Sequence, residues 1–386
     1  MNDFTFSAPQ NIIFGEGSIK KLPEVLKECG AKKILIISGP HLKKMGAVQK
    51  IADTAAEQGI ECGDFCDVEG NPSTETVDKA TEAFKAMGAE AIIAFGGGSP
   101  MDVAKAVGVL AKYGGKITEY EGGGKVPGEI VPLIAIPTTA GTGSEVTAFS
   151  VITDHSRNYK LTVFSYNLIP KYAILDPEFL YSLPASIAAA TGMDAFVHAL
   201  EAYLSRAASP FSDAMAEKAM ELIGGNIRKF VACRENKEAA AAMLAGSMFA
   251  GIAFAWARLG DVHAMAHPLS AYFGIAHGVA NAVLLPVIVD FNSLADNGRY
   301  EKIYNYISDV PAEKFESYML ADKIRELTSS LGIPSNLTEL GVTEDKIPAM
   351  AEDAMKSGNI TVNPRTTTLN DIISLYHKAL ARTGQP

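Results

Sequence analysis

The pattern of apolar residues changes near residue 184, and this change constrains the fold more than any other feature. Before it, short apolar runs alternate with helical segments; the clearest are KILIIS (33–38), AEAIIAF (89–95) and residues 133–136, with weaker ones at 11–14 and 62–67. Such runs are typical of strands buried in a parallel sheet. After residue 184 long, often alanine-rich helical segments follow. We therefore predict an α/β domain over residues 1–184, with a mainly parallel sheet, and an all-helical domain over residues 185–386.

Composition excludes several classes of function. With 386 residues, 48% of them hydrophobic, the chain is long enough for two cores. A net charge of −10 argues against nucleic acid as a partner. The four cysteines form no paired framework, which indicates free thiols in a reducing cytosol. The first ten residues, MNDFTFSAPQ, lack the basic and apolar regions of a signal peptide.

One uncharged segment, Ala239 to Ala257, is long enough to be a membrane span. Nine of its 19 residues are alanine, however, and alanine supports insertion far less than leucine or isoleucine does. We predict a buried helix here and no membrane partner.

Four of the seven histidines lie within the 80 residues from His198 to His277. His263 and His267 are four apart, as are Asp194 and His198, so on helices each pair shares one face. A single histidine on an apolar helix is more often a hydrogen-bonded core residue. Two such pairs make a divalent metal, such as Zn²⁺ or Fe²⁺, an equally good interpretation. Spacing does not decide which three of the four imidazoles would bind it.

Two loops are candidates for binding a nucleotide. GGGSPMD (96–102) follows a buried strand and opens a helix, where backbone N–H groups favour an anion. It is not the GxGxxG fingerprint, and a tight turn without a ligand is the alternative. TTAGTGSE (138–145) follows another strand and offers several hydroxyls. At the carboxyl ends of parallel strands, the two loops can line one crevice.

Together these stretches resemble the iron-dependent (group III) alcohol dehydrogenases, of the branch with lactaldehyde reductase and 1,3-propanediol dehydrogenase. The matching segments run nearly end to end: FGEG (14–17), GGGSPMD, IPTTAGTGSEVT, LDP (175–177), TGMDAFVHALEAY, HAMAH, AHGVANAVLLP, NPR (363–365) and DII-LYHKAL. The resemblance implies a dehydroquinate synthase-like fold and an NAD(P)-linked alcohol dehydrogenase or aldehyde reductase. It also implies a divalent metal, Fe²⁺ first, with Zn²⁺ or Mn²⁺ as alternatives.

The resemblance further implies roles for particular residues. The metal ligands would be Asp194, His198, His263 and His277, with His267 close to the nicotinamide and substrate as the catalytic proton carrier. The implied cofactor contacts are Gly97, Gly98, Ser99, Asp102, Thr138, Thr139, Thr142 and Lys160. The metal would polarise the substrate oxygen, and the cofactor would carry the hydride. We expect the active site in the cleft between the two domains.

Substrate and cofactor choice depend on residues where the chain departs from the family. Trp256 and Arg258 stand where small or amide side chains are usual, and with Phe254 they are the candidate substrate residues. They favour a small functionalised aldehyde, with Arg258 binding a polar or anionic tail; an interdomain ion pair of Arg258 is the alternative. The family's NAD-dependent members have aspartate where this chain has Gly39. Since lysines follow closely, we expect NADP to be tolerated.

Two other classes of function remain open at this point. A dehydroquinate synthase-like lyase would share the scaffold, and a metal-dependent hydrolase would use the same ligands to activate water. A hydrolase would have no use for GGGSPMD. We expect a cytoplasmic homo-oligomer, a dimer or a multiple of one, acting on a small molecule.

Overall fold

The computed structural model describes residues 10–157 and 159–380. They divide into two compact units: residues 10–139 and 143–181 form an α/β unit, whereas residues 140–142 and 182–380 form a helical unit.

The α/β unit is built on a six-stranded sheet in the order β1-β9-β6-β4-β2-β3, in which every neighbouring pair is parallel. The strands are β1 (Asn11–Phe14), β2 (Lys33–Ser38), β3 (Glu61–Phe65), β4 (Ala91–Gly96), β6 (Leu133–Pro137) and β9 (Tyr172–Leu175). Every residue of β4 and β6 is buried, as expected for central strands covered on both faces. The predicted parallel sheet is confirmed.

Helices cover both faces of this sheet because successive strand side chains point in opposite directions. Leu35 and Ile37 of β2 belong to one apolar core, and Ile34 and Ile36 belong to the other. The helices are α1 (Leu22–Cys29), α2 (Pro40–Lys44), α3 (Ala47–Ala56), α4 (Thr74–Met87) and α5 (Gly98–Tyr113). Residues of α4 and α5 pack in the first core, and residues of α1 and α3 pack in the second.

A smaller sheet of three strands, in the order β5-β8-β7, was not predicted. It consists of β5 (Gly122–Gly123), β7 (Phe149–Asp154) and β8 (Tyr159–Phe164), of which β7 and β8 are antiparallel. In FSVITD only every second residue is buried, so the strand lacks the continuous apolar run that marked the central strands.

The helical unit contains nine α-helices, and its described residues 182–380 contain no strand. The helices are α6 (Ala185–Leu204), α7 (Pro210–Ala232), α8 (Lys237–Ala257), α9 (Asp261–Phe273), α10 (His277–Asn292), α11 (Arg299–Ile307), α12 (Tyr318–Ser330), α13 (Ile347–Met355) and α14 (Leu369–Leu380). Residues Lys237–Ala257 and His277–Ala295 are long and apolar enough to cross a membrane by length and composition alone. Most of each apolar window, 67% and 61%, is buried inside the protein, as in core helices. The four cysteines are free thiols.

Candidate metal centre and cofactor-binding loops

Helix α6 carries the first two candidate metal ligands. Asp194 and His198 lie one helical turn apart, and only 3% and 5% of their surface is exposed. The helix is uniformly apolar around them, so these two polar side chains are buried with it. A buried carboxylate needs a compensating partner, which the neighbouring imidazoles can provide when they hold a proton or a metal.

The other candidate ligands come from α9 and α10. His263 lies in the first turn of α9, and His277 is the first residue of α10. At Gly278, a Cβ atom would overlap the carbonyl oxygen of Ala190 on α6. Glycine at this position therefore lets the start of α10 approach α6 closely enough to bring His277 beside Asp194.

Three of the four candidates converge in one group: the ligand atoms of Asp194, His263 and His277 all lie within 4.8 Å of one another. Asp194 Oδ1 is 3.6 Å from His263 Nε2 and 3.8 Å from His277 Nε2. His198 Nε2 is 3.9 Å from the same oxygen, and its ring stacks on that of His263. Atoms about 2.1 Å from one tetrahedral metal ion are separated by roughly 3.4 Å. The spacing is close to what a single ion requires.

The side chain of Asn281 caps this group. Its Nδ2 donates to Asp194 Oδ1 at 2.6 Å and lies 3.1 Å from His263 Nε2 and 3.2 Å from His277 Nε2. Among the residues the structure describes, its buried Oδ1 has no hydrogen-bond partner. One carboxylate oxygen and several imidazole nitrogens form a donor set that suits Fe²⁺ or Zn²⁺. The residues present therefore fit a divalent metal.

Two of the imidazoles have a partner at Nδ1, on the side of the ring away from the group, so that Nε2 is directed at the group. His263 Nδ1 lies 2.6 Å from Glu201 Oε2, and His198 Nδ1 lies 3.3 Å from the carbonyl oxygen of Gly141. Partners of this kind fix the tautomer and orientation of histidines that bind metals. Glu201 was not among the predicted site residues, although its position seven residues after Asp194 on α6 places it on the same helical face.

Electrostatics within the group favour the metal-binding protonation states of Asp194 and His198, but not that of His263. Burial disfavours charge on Asp194, but His198 and His277 hold the pKa of its carboxyl below its usual range. Burial lowers the pKa of His198 to about 4. Burial also opposes charge on His263, yet hydrogen bonds to Asp194 and Glu201 raise its pKa to about 9. A metal would therefore have to displace the proton held by His263.

The start of α9 is stabilised by hydrogen bonds to the segment of residues 363–367, which includes NPR. Asn363 Oδ1 accepts from the backbone N–H of Asp261 at 3.3 Å and from Asn292 Nδ2 at 3.1 Å. Thr367 Oγ1 donates to Asp261 Oδ2 at 2.6 Å. These contacts, together with the hydrogen bond from the Val262 N–H to Glu201 at 2.7 Å, fix the first turn that carries His263.

The candidate catalytic residue His267 lies beside the group without belonging to its closest cluster. Its ring stacks on that of His277, with centroids 5.2 Å apart, and meets the ring of His263 edge-on at 6.4 Å.

The three candidate substrate residues have different surroundings. The ring of Phe254 stacks on that of His198 at a centroid distance of 4.5 Å. Trp256, two residues later on α8, packs edge-on against Phe211 of α7. The two aromatic side chains are thus not brought together. Arg258 is exposed and ends α8 with φ 64° and ψ −176°, a region that is costly for any residue except glycine.

In the α/β unit, the two candidate cofactor loops follow the adjacent strands β4 and β6. The backbone N–H of Thr138 donates to Gly96 O at 2.9 Å, and a Cβ atom at Gly97 would lie 3.3 Å from Thr139 Oγ1. Gly98 and Ser99 open the 16-residue helix α5, whose first N–H groups favour an anion. Residues 96–97 and 138–139 thus lie side by side, whereas Thr142 belongs to the helical unit.

A third loop, residues 70–73, is attached to the same region, and its residues were not among the predicted site residues. Ser99 Oγ donates to Gly70 O, and Lys160 Nζ donates to Asn71 Oδ1, each at 2.8 Å. Asp102 accepts from Ser144 Oγ at 3.0 Å, and burial raises the pKa of its carboxyl to about 6.

At the end of β2, Gly39 precedes α2 with an extended backbone. Lys43 on α2 forms an ion pair with Asp64 of β3, at 2.6 Å. The positive charge that follows Gly39 is thus partly compensated.

The chain matches the models of a known family of enzymes, and this match indicates the chemistry of the candidate metal group and the two loops. Residues 9–177 match the model of the iron-containing alcohol dehydrogenases, and residues 188–380 match that of the C-terminal part of the Fe-containing alcohol dehydrogenase family. The chain belongs to the iron-containing alcohol dehydrogenase family.

Proteins that are similar to this chain over almost its whole length support the same family assignment. The chain is 36% identical over 380 residues to NAD-dependent methanol dehydrogenase of Bacillus methanolicus, covering 97% of this chain and 99% of the relative. It is 36% identical over 375 residues to lactaldehyde reductase of Escherichia coli strain K12, covering 95% and 97%. The crystal structure of a 1,3-propanediol oxidoreductase is similar, with a TM-score of 0.94 and 37% identity over 98% of this chain and 100% of that one.

As an iron-containing alcohol dehydrogenase, the protein is an NAD(P)-linked, metal-dependent oxidoreductase that acts on CH–OH groups. The resemblance drawn from the sequence motifs is confirmed. The lyase and hydrolase alternatives receive no support from these matches.

Proposed function

We propose that this iron-containing alcohol dehydrogenase reduces a small aldehyde with a polar or anionic tail, at a metal centre formed by Asp194, His198, His263 and His277. The observation that carries the proposal is the convergence of Asp194, His263 and His277 within 4.8 Å, with His198 alongside. When bound, the metal supplies Lewis-acid chemistry at the substrate oxygen and the nicotinamide supplies the hydride.

The residues around the centre divide the remaining work. Glu201 and the Gly141 carbonyl hold His263 and His198 so that each Nε2 is available as a ligand. His267, stacked on His277, is the imidazole placed to exchange a proton with the alcohol oxygen, directly or through water. Phe254 presents an apolar face beside His198, which excludes water from that side of the group.

Arg258 is proposed to bind the tail of the substrate. Its backbone conformation costs on the order of 1–3 kcal/mol for a residue other than glycine. No ion pair of Arg258 occurs among residues 10–157 and 159–380, so the alternative of a structural ion pair has no support there. The Arg258 side chain is exposed, and it follows Phe254 by one helical turn. A guanidinium group that forms no ion pair with the described residues is suited to a carboxylate, sulfonate or hydroxyl group of the substrate.

For the cofactor, the proposal is that NADPH is accepted beside NADH. Gly39 carries no carboxylate to repel a 2′-phosphate. Because Lys43 is paired with Asp64, only part of the nearby positive charge is available to attract that phosphate. A preference for NADH of tenfold or more in kcat/KM would overturn this part of the proposal.

A cytoplasmic location and a homodimeric or larger assembly complete the proposal. The free thiols suit a reducing compartment. Strand β1 is an edge strand with Ile12 and Phe14 exposed by 40% and 43%, a surface on which a second copy can pair. Light scattering coupled to size-exclusion chromatography tests the assembly.

The experiment for the whole proposal is a reductase screen. The protein, reconstituted with Fe²⁺ under anaerobic conditions, is assayed for oxidation of NADH and of NADPH. The substrates are short aldehydes with methyl, hydroxyl, carboxylate and sulfonate tails. We expect the highest kcat/KM for a polar or anionic tail. If no aldehyde is reduced with either cofactor, the proposed function is wrong; if propanal is the best substrate, only the tail preference is wrong.

A further inference from the structure

Lys105 of α5 is completely buried, which is rare for lysine. Its ammonium group lies within hydrogen-bond distance of Ser144 Oγ at 3.0 Å, Thr147 O at 2.9 Å, Thr147 Oγ1 at 3.2 Å and Phe149 O at 2.8 Å. All four acceptors lie on residues 144–149, which begin within the TTAGTGSE loop. Every N–H donor of the ammonium group thus has an acceptor, so the side chain is held in a single position.

Two acids, one partly buried and one buried, accompany this cation. Asp102, one turn earlier on α5, accepts from Ser144 Oγ at 3.0 Å, and its carbonyl oxygen accepts from Ser150 Oγ at 2.8 Å. Glu145 is only 2% exposed. Removing a lysine and its neighbouring acids from water costs desolvation energy, a cost that apolar residues of similar size would not incur. We therefore expect Lys105 to have a specific role at this position.

The cluster joins the two loops implicated in cofactor binding. At their near ends, the loops meet through the hydrogen bond from Thr138 N–H to Gly96 O and the approach of Gly97 to Thr139. Residues 144–149, which include the end of the second loop, are held to α5 by Lys105. Because α5 begins at Gly98, Lys105 fixes the far end of the second loop to the helix that the first loop opens.

We propose that Lys105 is a positioning residue for the dinucleotide, which keeps the Gly97–Ser99 turn and Thr138–Thr139 in one preformed site for its phosphate and ribose groups. This inference rests on the proposed cofactor role of the two loops. Preformed backbone donors bind an anion without first being ordered, so loosening the second loop should weaken cofactor binding and leave the metal centre intact.

The test is cofactor affinity, measured from the fluorescence of NADH and of NADPH on binding to full-length protein. Lys105→Met keeps the length of the side chain and removes the ammonium group, and Ser144→Ala removes one link of the cluster. Lys112→Met changes an exposed lysine of the same helix and is the matched control. Iron content and the KM for the aldehyde are measured on each variant.

We expect the Kd for the cofactor to rise at least tenfold in Lys105→Met and threefold or more in Ser144→Ala, with no change in Lys112→Met. Iron content and aldehyde KM should stay within twofold of wild type, and backbone amides of residues 144–149 should exchange hydrogen faster. If Lys105→Met does not fold, Ser144→Ala decides the matter. An unchanged Kd for the cofactor in the folded variants would overturn this inference but would leave the proposed function standing. A wild type that binds neither cofactor would overturn the proposed function, and this inference with it.

Discussion

His263 Nδ1 lies 2.6 Å from Glu201 Oε2, and this contact joins two helices at the proposed metal centre. The same carboxylate accepts the backbone N–H of Val262 at 2.7 Å. One side chain of α6 therefore sets both the start of α9 and the orientation of the imidazole that α9 contributes.

Replacement of Glu201 should weaken metal binding. Partners of this kind are worth about 10–100-fold in metal affinity, and we expect a loss of that size for Glu201→Ala and a smaller one for Glu201→Gln, which keeps an acceptor oxygen. Competition with a chromogenic chelator measures the Kd. Glu217→Gln, which alters a glutamate bonded to Tyr203 and Lys302 in the same unit, is the control. Equal Kd values for Glu201→Ala and wild type would contradict this role.

Metal affinity should depend on pH. The pKa of His263 is raised to about 9, so below that pH the imidazole is protonated and the ion must displace a proton. His198, whose pKa is lowered to about 4, is already neutral there, and the Asp194 carboxyl is already ionised. Affinity should thus fall about tenfold for each pH unit from 9 towards 6. Calorimetry in buffers of different ionisation enthalpy should show that metal binding at pH 7 releases the His263 proton; release of no proton would contradict the prediction.

A single methyl group at Gly278 should disrupt the centre. Its Cβ would overlap the Ala190 carbonyl oxygen, so Gly278→Ala should push the start of α10, and with it His277, away from Asp194. Gly225→Ala is the matched control because no atom lies within 4 Å of its Cβ, and alanine favours helix α7. We expect bound iron to be lost in Gly278→Ala alone. Equal iron content in both variants would show that His277 is not placed by this close approach.

Arg258→Gly separates the cost of the backbone conformation from the function of the side chain. Glycine adopts this conformation readily, so thermal unfolding should show a gain of about 1 kcal/mol or more in stability. The KM for an anionic aldehyde should rise roughly tenfold or more, since a charge-assisted hydrogen bond is worth about 1.5–3 kcal/mol. The KM for propanal should barely change. If the two KM values rise equally, Arg258 does not contact the tail.

The sequence predicted the elements whose burial is uniform. The central strands β2, β4 and β6 are continuous apolar runs, and helices α6 and α8 are apolar on all sides. It did not predict β7 and β8, since only alternate residues of these strands are buried. Residues 18–29, which the helical spacing of their apolar residues cannot divide, form a 3₁₀ turn at Ser18–Lys21 followed by α1, which has Pro23 in its first turn.

At the candidate metal centre, spacing within one helix was the useful signal. It paired Asp194 with His198, but it could not relate them to His277, because that relationship depends on the approach of α10 to α6 at Gly278. Contacts made across helices, such as those of Asn281 and Asn363, leave no periodic pattern in the sequence. The sequence does not distinguish Lys105 from an exposed helical lysine, since burial by another segment of the chain is a tertiary property.

The most direct test of the account is iron content and turnover in two histidine variants prepared together. Wild type, His277→Ala and His267→Ala are reconstituted anaerobically with Fe²⁺, freed of excess metal, and assayed for iron per chain and for aldehyde-dependent NADH oxidation. The account predicts about one iron per chain in wild type and in His267→Ala, with turnover much reduced in the latter because its proton carrier is missing. It predicts neither iron nor turnover in His277→Ala. Full turnover by iron-free His277→Ala would contradict the account.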